Sequence, residues 1–171
     1  MKWTEFVSQG KNRVLPVIVE VYGKKYPHYA SKLYPICYTS FNDLGILFTP
    51  CGWLRRKKKQ NLQTVRYKEI VSVEFNVQRV PTVFLYLLGS SLHLDIIIHL
   101  KDSSTLHLES EDLSLFPELV KLLKKHKVLI KDPLKLQSIL KEQHTMEKFY
   151  TYLDQHLETD PRHNDREPKI K

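Results

Sequence analysis

The sequence predicts an α+β protein in which a bent antiparallel sheet is followed by two helices. Three observations favour this fold class. Apolar residues alternate with period two over residues 92–100, as in a strand that buries one face. Leucine, phenylalanine and valine recur at spacings of three and four over residues 115–123, as in an amphipathic helix. Residues 41–45 combine asparagine, aspartate and glycine, which suit a tight hairpin turn.

Size and composition favour a single folded core. With 171 residues, 42% of them hydrophobic, the chain is long enough for one substantial core and too short for two ordinary domains. Residues 1–6 lack the apolar stretch of a signal peptide, and the longest apolar segment, 83–98, contains glycine, serine, histidine and aspartate. We therefore expect a cytoplasmic protein whose Cys37 and Cys51 stay reduced.

The first half of the chain has the pattern of short strands joined by turns. Residues 14–22 are rich in β-branched types, which predicts a strand. A hairpin follows over residues 36–50, with its turn at 41–45. The apolar spacing of residues 62–75 then predicts a short strand, a bend at Lys68 and Glu69, and a second strand.

A second hairpin is predicted over residues 92–109. We expect Leu100 to pair with Leu106 and His99 to pair with His107, because paired residues of an antiparallel ladder share a face. The face that carries His93, Asp95, His99 and His107 is predicted to contact water. Two histidines make a weak metal site, so we expect no bound metal. The predicted core face holds Leu92, Leu94, Ile96, Ile98, Leu100, Leu106 and Leu108.

Two helices are predicted after the sheet. The first tolerates Pro117 because that residue falls in its first turn. The second is predicted to begin at Asp132 and Pro133 and to run to His156, either docked on the sheet or associated with a second copy. Its apolar seam comprises Leu136, Ile139, Gln143, Met146, Tyr150, Leu153 and Leu157. These elements predict a capped sheet over residues 1–130, an appended helix over 131–158 and a disordered tail over 159–171.

Two segments resemble the bacterial pleckstrin-homology-like domain family. Residues 45–75, "GILFTPCGWLRRKKKQNLQTVRYKEIVSVEF", are similar to that family's strand, hydrophilic turn and "Y-x-x-I-x-x-V" strand. Residues 94–123, "LDIIIHLKDSSTLHLESEDLSLFPELVKLL", are similar to its final hairpin and helix. The resemblance covers roughly residues 36–130 and implies a bent antiparallel β-barrel capped by its C-terminal helix. The Tyr- and Pro-rich residues 22–38, residues 76–91 and the second helix depart from the family pattern.

Five consecutive cations follow a tryptophan, in a chain of net charge +8. A solvated turn that protects a sheet edge, a nucleic-acid site with a stacking tryptophan, and a membrane-facing patch are three interpretations of this run. The nucleic-acid interpretation is stronger than the membrane interpretation, because the spaced basic pattern of lipid-binding relatives is missing. The common sequence motifs of nucleic-acid-binding proteins are missing as well. The candidate binding residues are Trp53, Arg55, Arg56, Lys57, Lys58 and Lys59.

The sequence carries no recognisable catalytic motif. There is no G-x-S-x-G elbow, and five glycines form no phosphate-binding loop. We therefore predict a non-enzymatic interaction module without a cofactor. Its partner is a protein, or a second copy bound through the C-terminal helix. A basic nucleic-acid-binding accessory protein is the alternative.

Overall fold

The computed structural model describes residues 15–26, 37–50, 63–84 and 87–157. Within these ranges the α+β prediction is confirmed, and no helix is long and apolar enough to cross a membrane. The strands are β1 (Leu15–Val21), β2 (Lys24–Tyr26), β3 (Cys37–Asn42), β4 (Gly45–Pro50), β5 (Gln63–Val65), β6 (Ile70–Phe84), β7 (Leu87–Leu100), β8 (Thr105–Ser110) and β9 (Leu129–Lys131). The helices are α1 (Leu115–Lys125), α2 (Leu136–Gln143) and α3 (Met146–His156).

The strands form a mixed sheet in the order β5-β4-β3-β1-β8-β7-β6-β9, and β2 pairs with β1 outside this path. The prediction of an antiparallel sheet is wrong for three pairings: β1 runs parallel to β3 and to β8, and β6 runs parallel to β9. Parallel neighbours need a long connection between them. The chain provides one in each case, because β9 returns to β6 only after β7, β8 and α1.

The hairpin of β3 and β4 confirms the turn predicted at residues 41–45. Asn42 pairs with Gly45, and Gly45 has φ +146°, a conformation that L side chains rarely adopt. A Cβ atom at Gly45 would lie 2.4 Å from the carbonyl oxygen of Val65 in β5. The bend predicted at Lys68 and Glu69 is also confirmed, as a single 3₁₀ turn between β5 and β6.

Strands β6, β7 and β8 form a meander with one core face. The predicted buried face is confirmed, since every member of it is at most 9% exposed. The predicted register is wrong by two residues: His99 pairs with Thr105, and Leu106 and His107 pair with Ile98 and Ile97. The turn is tighter than expected because Asp102 Oδ1 accepts a hydrogen bond from the backbone N–H of Ser104 at 3.0 Å.

Helix α1 confirms the first predicted helix, and Pro117 lies in its first turn. The helix packs against β1 and β9, and Phe116 meets Phe75 of β6 edge to face, with ring centroids 5.1 Å apart. Its apolar stripe is entirely buried: Leu115, Phe116, Leu119, Val120, Leu122 and Leu123. The described core is therefore closed on this side by the segment that follows the meander.

The single helix predicted from residue 132 to 156 is wrong, because two shorter helices replace it. Asp132 accepts hydrogen bonds from the N–H groups of Leu136 and Gln137, but the predicted N-cap at Asp132 is wrong, because Lys135 is the N-cap of α2 and the helix begins only at Leu136. The chain then breaks at His144, which has φ 62°, and Thr145 starts α3 by accepting a hydrogen bond from the N–H of Lys148 at 3.3 Å. His144 is therefore the C-cap that ends α2, and Thr145 is the N-cap that starts α3.

Candidate functional site

Two turns and a helix end meet at one surface, called here the hairpin-end surface and defined by Tyr22, Asp43, Leu44, Lys125 and His126. Asp43 is its centre. Its Oδ1 atom accepts hydrogen bonds from the Tyr22 hydroxyl at 2.8 Å and from Lys125 Nζ at 2.6 Å, and lies 3.2 Å from His126 Nε2. One carboxylate thus fastens the β1–β2 turn and the C-terminal end of α1 to the β3–β4 turn.

The electrostatics of the hairpin-end surface follow from these contacts. The Lys125 ammonium, followed by the Tyr22 hydroxyl, lowers the pKa of Asp43 to about 2, and Asp43 in turn raises the pKa of Lys125. His126 stacks on the ring of Tyr67 with centroids 4.0 Å apart, while the Tyr67 hydroxyl donates to the carbonyl oxygen of Asn42 at 2.7 Å. Contacts on both sides of Asp43 therefore connect this surface to the β3–β4 turn.

Two apolar side chains remain exposed on this well-fastened surface. Leu44 is 83% exposed and Tyr22 is 53% exposed. The backbone N–H of Leu44 donates to Asn42 Oδ1 at 2.9 Å, so the turn that presents Leu44 is itself ordered. The sequence prediction missed this surface because its members come from three distant segments. The one available signal was a leucine placed in an otherwise polar hairpin turn.

A second cluster lies on the face of the meander opposite the core. The prediction that this face contacts water is wrong for its central residues: His93 is 3% exposed and Asp95 is 9% exposed. Asp95 pairs across the strands with Asn76 of β6 and with Glu109 of β8. Asn76 and Glu109 are buried as well. Alternation along β7 identified the core face, but it could not show how deeply the polar face is covered.

His93 joins β7 to the end of β8 through its ring nitrogen Nδ1. Nδ1 contacts Glu109 Oε1 directly, while Nε2 lies 2.8 Å from the Ser91 hydroxyl and 3.6 Å from Glu111 Oε1. Serine, histidine and carboxylate in this order resemble a nucleophile with its base. Here the ring is 3% exposed and its Nε2 atom also faces a second carboxylate at 3.6 Å, an arrangement that suits a link between the strands.

Asp95 is the least compensated group of this cluster. Its Oδ1 atom has no hydrogen-bond partner among the described residues, and the neighbouring Asn76 amide donates instead to Glu74 Oε1 at 3.0 Å. Burial, followed by the charges of Glu109 and Glu74, raises the pKa of Asp95 to about 7. No set of three His, Cys, Asp or Glu side chains in the described ranges has the geometry to hold a metal ion.

The residues predicted from sequence as binding sites have different outcomes. Trp53 and residues 55–59 lie outside the described residues, as does the tail over 159–171. Four residues of the predicted helix seam are buried in this chain's own core: Leu136, Ile139, Leu153 and Leu157. For these side chains the structure matches the prediction that the segment docks on its own chain. Gln143 and Met146 are half-buried, whereas Tyr150 is 39% exposed. Self-association through the exposed part stays a prediction.

Comparisons of the chain with protein-family models, with curated proteins and with solved structures find no match.

Proposed function

We propose that this protein is a non-enzymatic interaction module of the pleckstrin-homology-like type, acting in the bacterial cytoplasm, and that it binds an acidic partner protein through the hairpin-end surface. The order of elements supports the family assignment, because β3–β5 and the β6–β8 meander are followed by the amphipathic helix α1. The parallel pairings of β1 and β9 and the two added helices are departures from the bent antiparallel barrel.

The observation that carries this proposal is Leu44. An 83% exposed leucine contributes little to folding, and its turn is fixed by the Asn42 side chain and by the contacts of Asp43. Because the backbone of this turn is hydrogen-bonded, little backbone entropy is lost when a partner binds it, which favours Leu44 as an interface anchor. Burying it in a partner's pocket contributes about 2 kcal/mol, or roughly 30-fold in affinity.

The charge around Leu44 indicates an acidic partner. Lys124, Lys125 and Lys127 are all exposed at the C-terminal end of α1, and Asp43 pairs with only the second of them. Opposite charges across an interface speed association and select the partner. A protein partner is favoured over the phosphate backbone of a nucleic acid, because the same surface also exposes Leu44 and Tyr22. Phosphate groups do not bury the apolar area of these two side chains.

The test is capture from the native host followed by measurement with purified components. We expect a protein that is retained by the wild-type chain and by Tyr150→Ser, but lost on Leu44→Ser. Its dissociation constant, measured by calorimetry, should rise about 30-fold for Leu44→Ser. Tyr150→Ser serves as the matched control because it removes an exposed apolar side chain from α3. A partner lost on Tyr150→Ser and kept on Leu44→Ser would contradict this proposal and favour the helix interface.

The nucleic-acid alternative gives a different signature. Fluorescence anisotropy with non-specific DNA and RNA at rising salt should then show a steep logarithmic slope, since each neutralised phosphate releases condensed counterions. We expect the wild-type chain to bind neither at physiological salt. Salt-sensitive binding that is lost when residues 55–59 are replaced with serine, and unaffected by Leu44→Ser, would replace the protein-binding proposal.

A further inference from the structure

Three polar residues form one row across the middle of the β6–β8 face. Asn76, Asp95 and Glu109 are direct cross-strand neighbours, and each is at most 9% exposed. Side chains in such positions have Cβ atoms about 5 Å apart, so two negative charges there repel each other. Asp95 and Glu109 are therefore a pair of facing acids between β7 and β8, in surroundings that exclude most water.

The groups that surround Asp95 do not offset its charge. On β8, Glu109 contacts His93, so this histidine pairs with the Glu109 carboxylate and does not neutralise Asp95. On β6, the Asn76 amide is directed to Glu74, which itself adds negative charge. Burial, and then His99, lowers the pKa of His107, which limits the positive charge available from that side. The titratable groups on the same face of the meander are Glu74 on β6, His93 and His99 on β7, and His107 and Glu109 on β8, with Glu111 following β8.

The neutral form of a carboxyl group is favoured in this position. Burying an ionised carboxylate without a partner is costly, and proteins avoid that cost by keeping the proton. A protonated Asp95 removes the repulsion with Glu109 and becomes a hydrogen-bond donor between two acceptor-rich strands. Ionisation restores the repulsion across the β7–β8 pairing.

We propose that Asp95, Glu109 and His93 form a proton-dependent clasp between β7 and β8, closed while Asp95 carries its proton and loosened when Asp95 ionises. The clasp lies where β8 ends, and the Ser110 hydroxyl accepts a hydrogen bond from the N–H of Asp112 in the loop that starts α1. Loosening therefore acts on the junction between the sheet and its first helix. The device is separate from the hairpin-end surface and does not depend on a partner.

The direction in which pH changes the stability of the clasp follows from the direction of the pKa shift of Asp95. The folded chain holds the Asp95 proton up to about pH 7, whereas an opened chain releases it near the ordinary value of 3.8. The stabilisation that the clasp contributes is therefore complete below that ordinary value and is lost as the pH rises through about 7. Between pH 5 and pH 7 the open population should rise on the order of 50-fold through this one group.

Backbone hydrogen exchange of the full chain measures this opening. Protection factors of the β7–β8 amides, corrected for intrinsic exchange at each pH, should fall on the order of 50-fold more between pH 5 and pH 7 in the wild type than in Asp95→Asn. Asparagine keeps the shape of the neutral acid and cannot ionise. Glu142→Gln is the control, because Glu142 is an exposed carboxyl on α2, outside the β7–β8 pairing. Equal pH dependence in the wild type and in Asp95→Asn would overturn the proposal.

Two further measurements keep the test decisive if Asp95→Asn does not fold. The carboxyl carbon resonance of Asp95 in the wild-type chain should titrate with a midpoint near 7. Glu109→Gln retains an acceptor for His93 and removes the facing charge, so that midpoint should fall. A wild-type midpoint near 4, or a midpoint unmoved by Glu109→Gln, would refute the clasp.

Discussion

Replacing Phe149 with alanine tests whether α3 is held by this chain's own core. The Phe149 ring is 1% exposed and stacks on Phe116 with centroids 6.2 Å apart, and Phe116 in turn meets Phe75 edge to face. Its removal takes away one end of a row of three aromatic rings that connects α3, α1 and β6. Truncating a buried phenylalanine costs about 3–5 kcal/mol through lost transfer energy and the cavity left behind.

The assay is urea denaturation followed by circular dichroism at two protein concentrations tenfold apart. With a urea slope of about 2 kcal/mol per molar, the midpoint of Phe149→Ala should fall by about 2 M at both concentrations. Tyr150→Ala is the matched control, since Tyr150 is the next residue on α3 and is 39% exposed; its effect should stay within about 0.5 kcal/mol.

Two results would refute this reasoning. A loss below about 1 kcal/mol for Phe149→Ala would mean that the aromatic row does not hold α3 in place. A wild-type midpoint that rises with protein concentration would mean that a second copy stabilises the fold, as expected if the helix seam were an intermolecular interface.

Three other substitutions give separable outcomes. Thr145→Ala removes the side chain that caps α3 and should lower the free energy of unfolding by about 1 kcal/mol, measured by thermal or urea denaturation; an unchanged stability would show that the cap is dispensable. Gly45→Ala should cost more than about 1 kcal/mol in the same assay, because φ is +146° and the added Cβ meets the Val65 carbonyl oxygen at 2.4 Å; a neutral result would contradict the observed turn. Asp95→Asn should raise the free energy of unfolding by up to about 4 kcal/mol at pH 8 and change it little at pH 4, because the cost of ionising Asp95 grows as the pH rises from 3.8 to about 7. An increase that is independent of pH would contradict an uncompensated buried carboxyl.

The elements that the sequence predicted correctly are those with local signals. Alternation identified the buried face from Leu92 to Leu100, and the spacing of α1 identified every buried residue of that helix. The β3–β4 turn followed from Asn42 and Gly45. Each of these features depends on neighbours within a few residues, and side-chain periodicity reports such neighbours directly.

The errors arose where a local pattern had two physical solutions. The seam from Leu136 to Leu153 fits one long helix or two short ones. The positive φ of His144 and the N-cap at Thr145 produce two helices. The turn at Asp102 allowed two registers that place the same residues on the same face, so the alternation of β7 could not distinguish them.

The amino-acid sequence alone determined which faces of the strands and of α1 are apolar and where the chain turns, because those properties are set by residue type at short range. Only the tertiary structure decided which polar groups meet. Asp43 contacts Lys125 across 82 positions of sequence, and His93 contacts Glu109 across 16. Charge acts through space over several ångströms, so both the hairpin-end surface and the buried acid row exist only once the fold brings distant segments together.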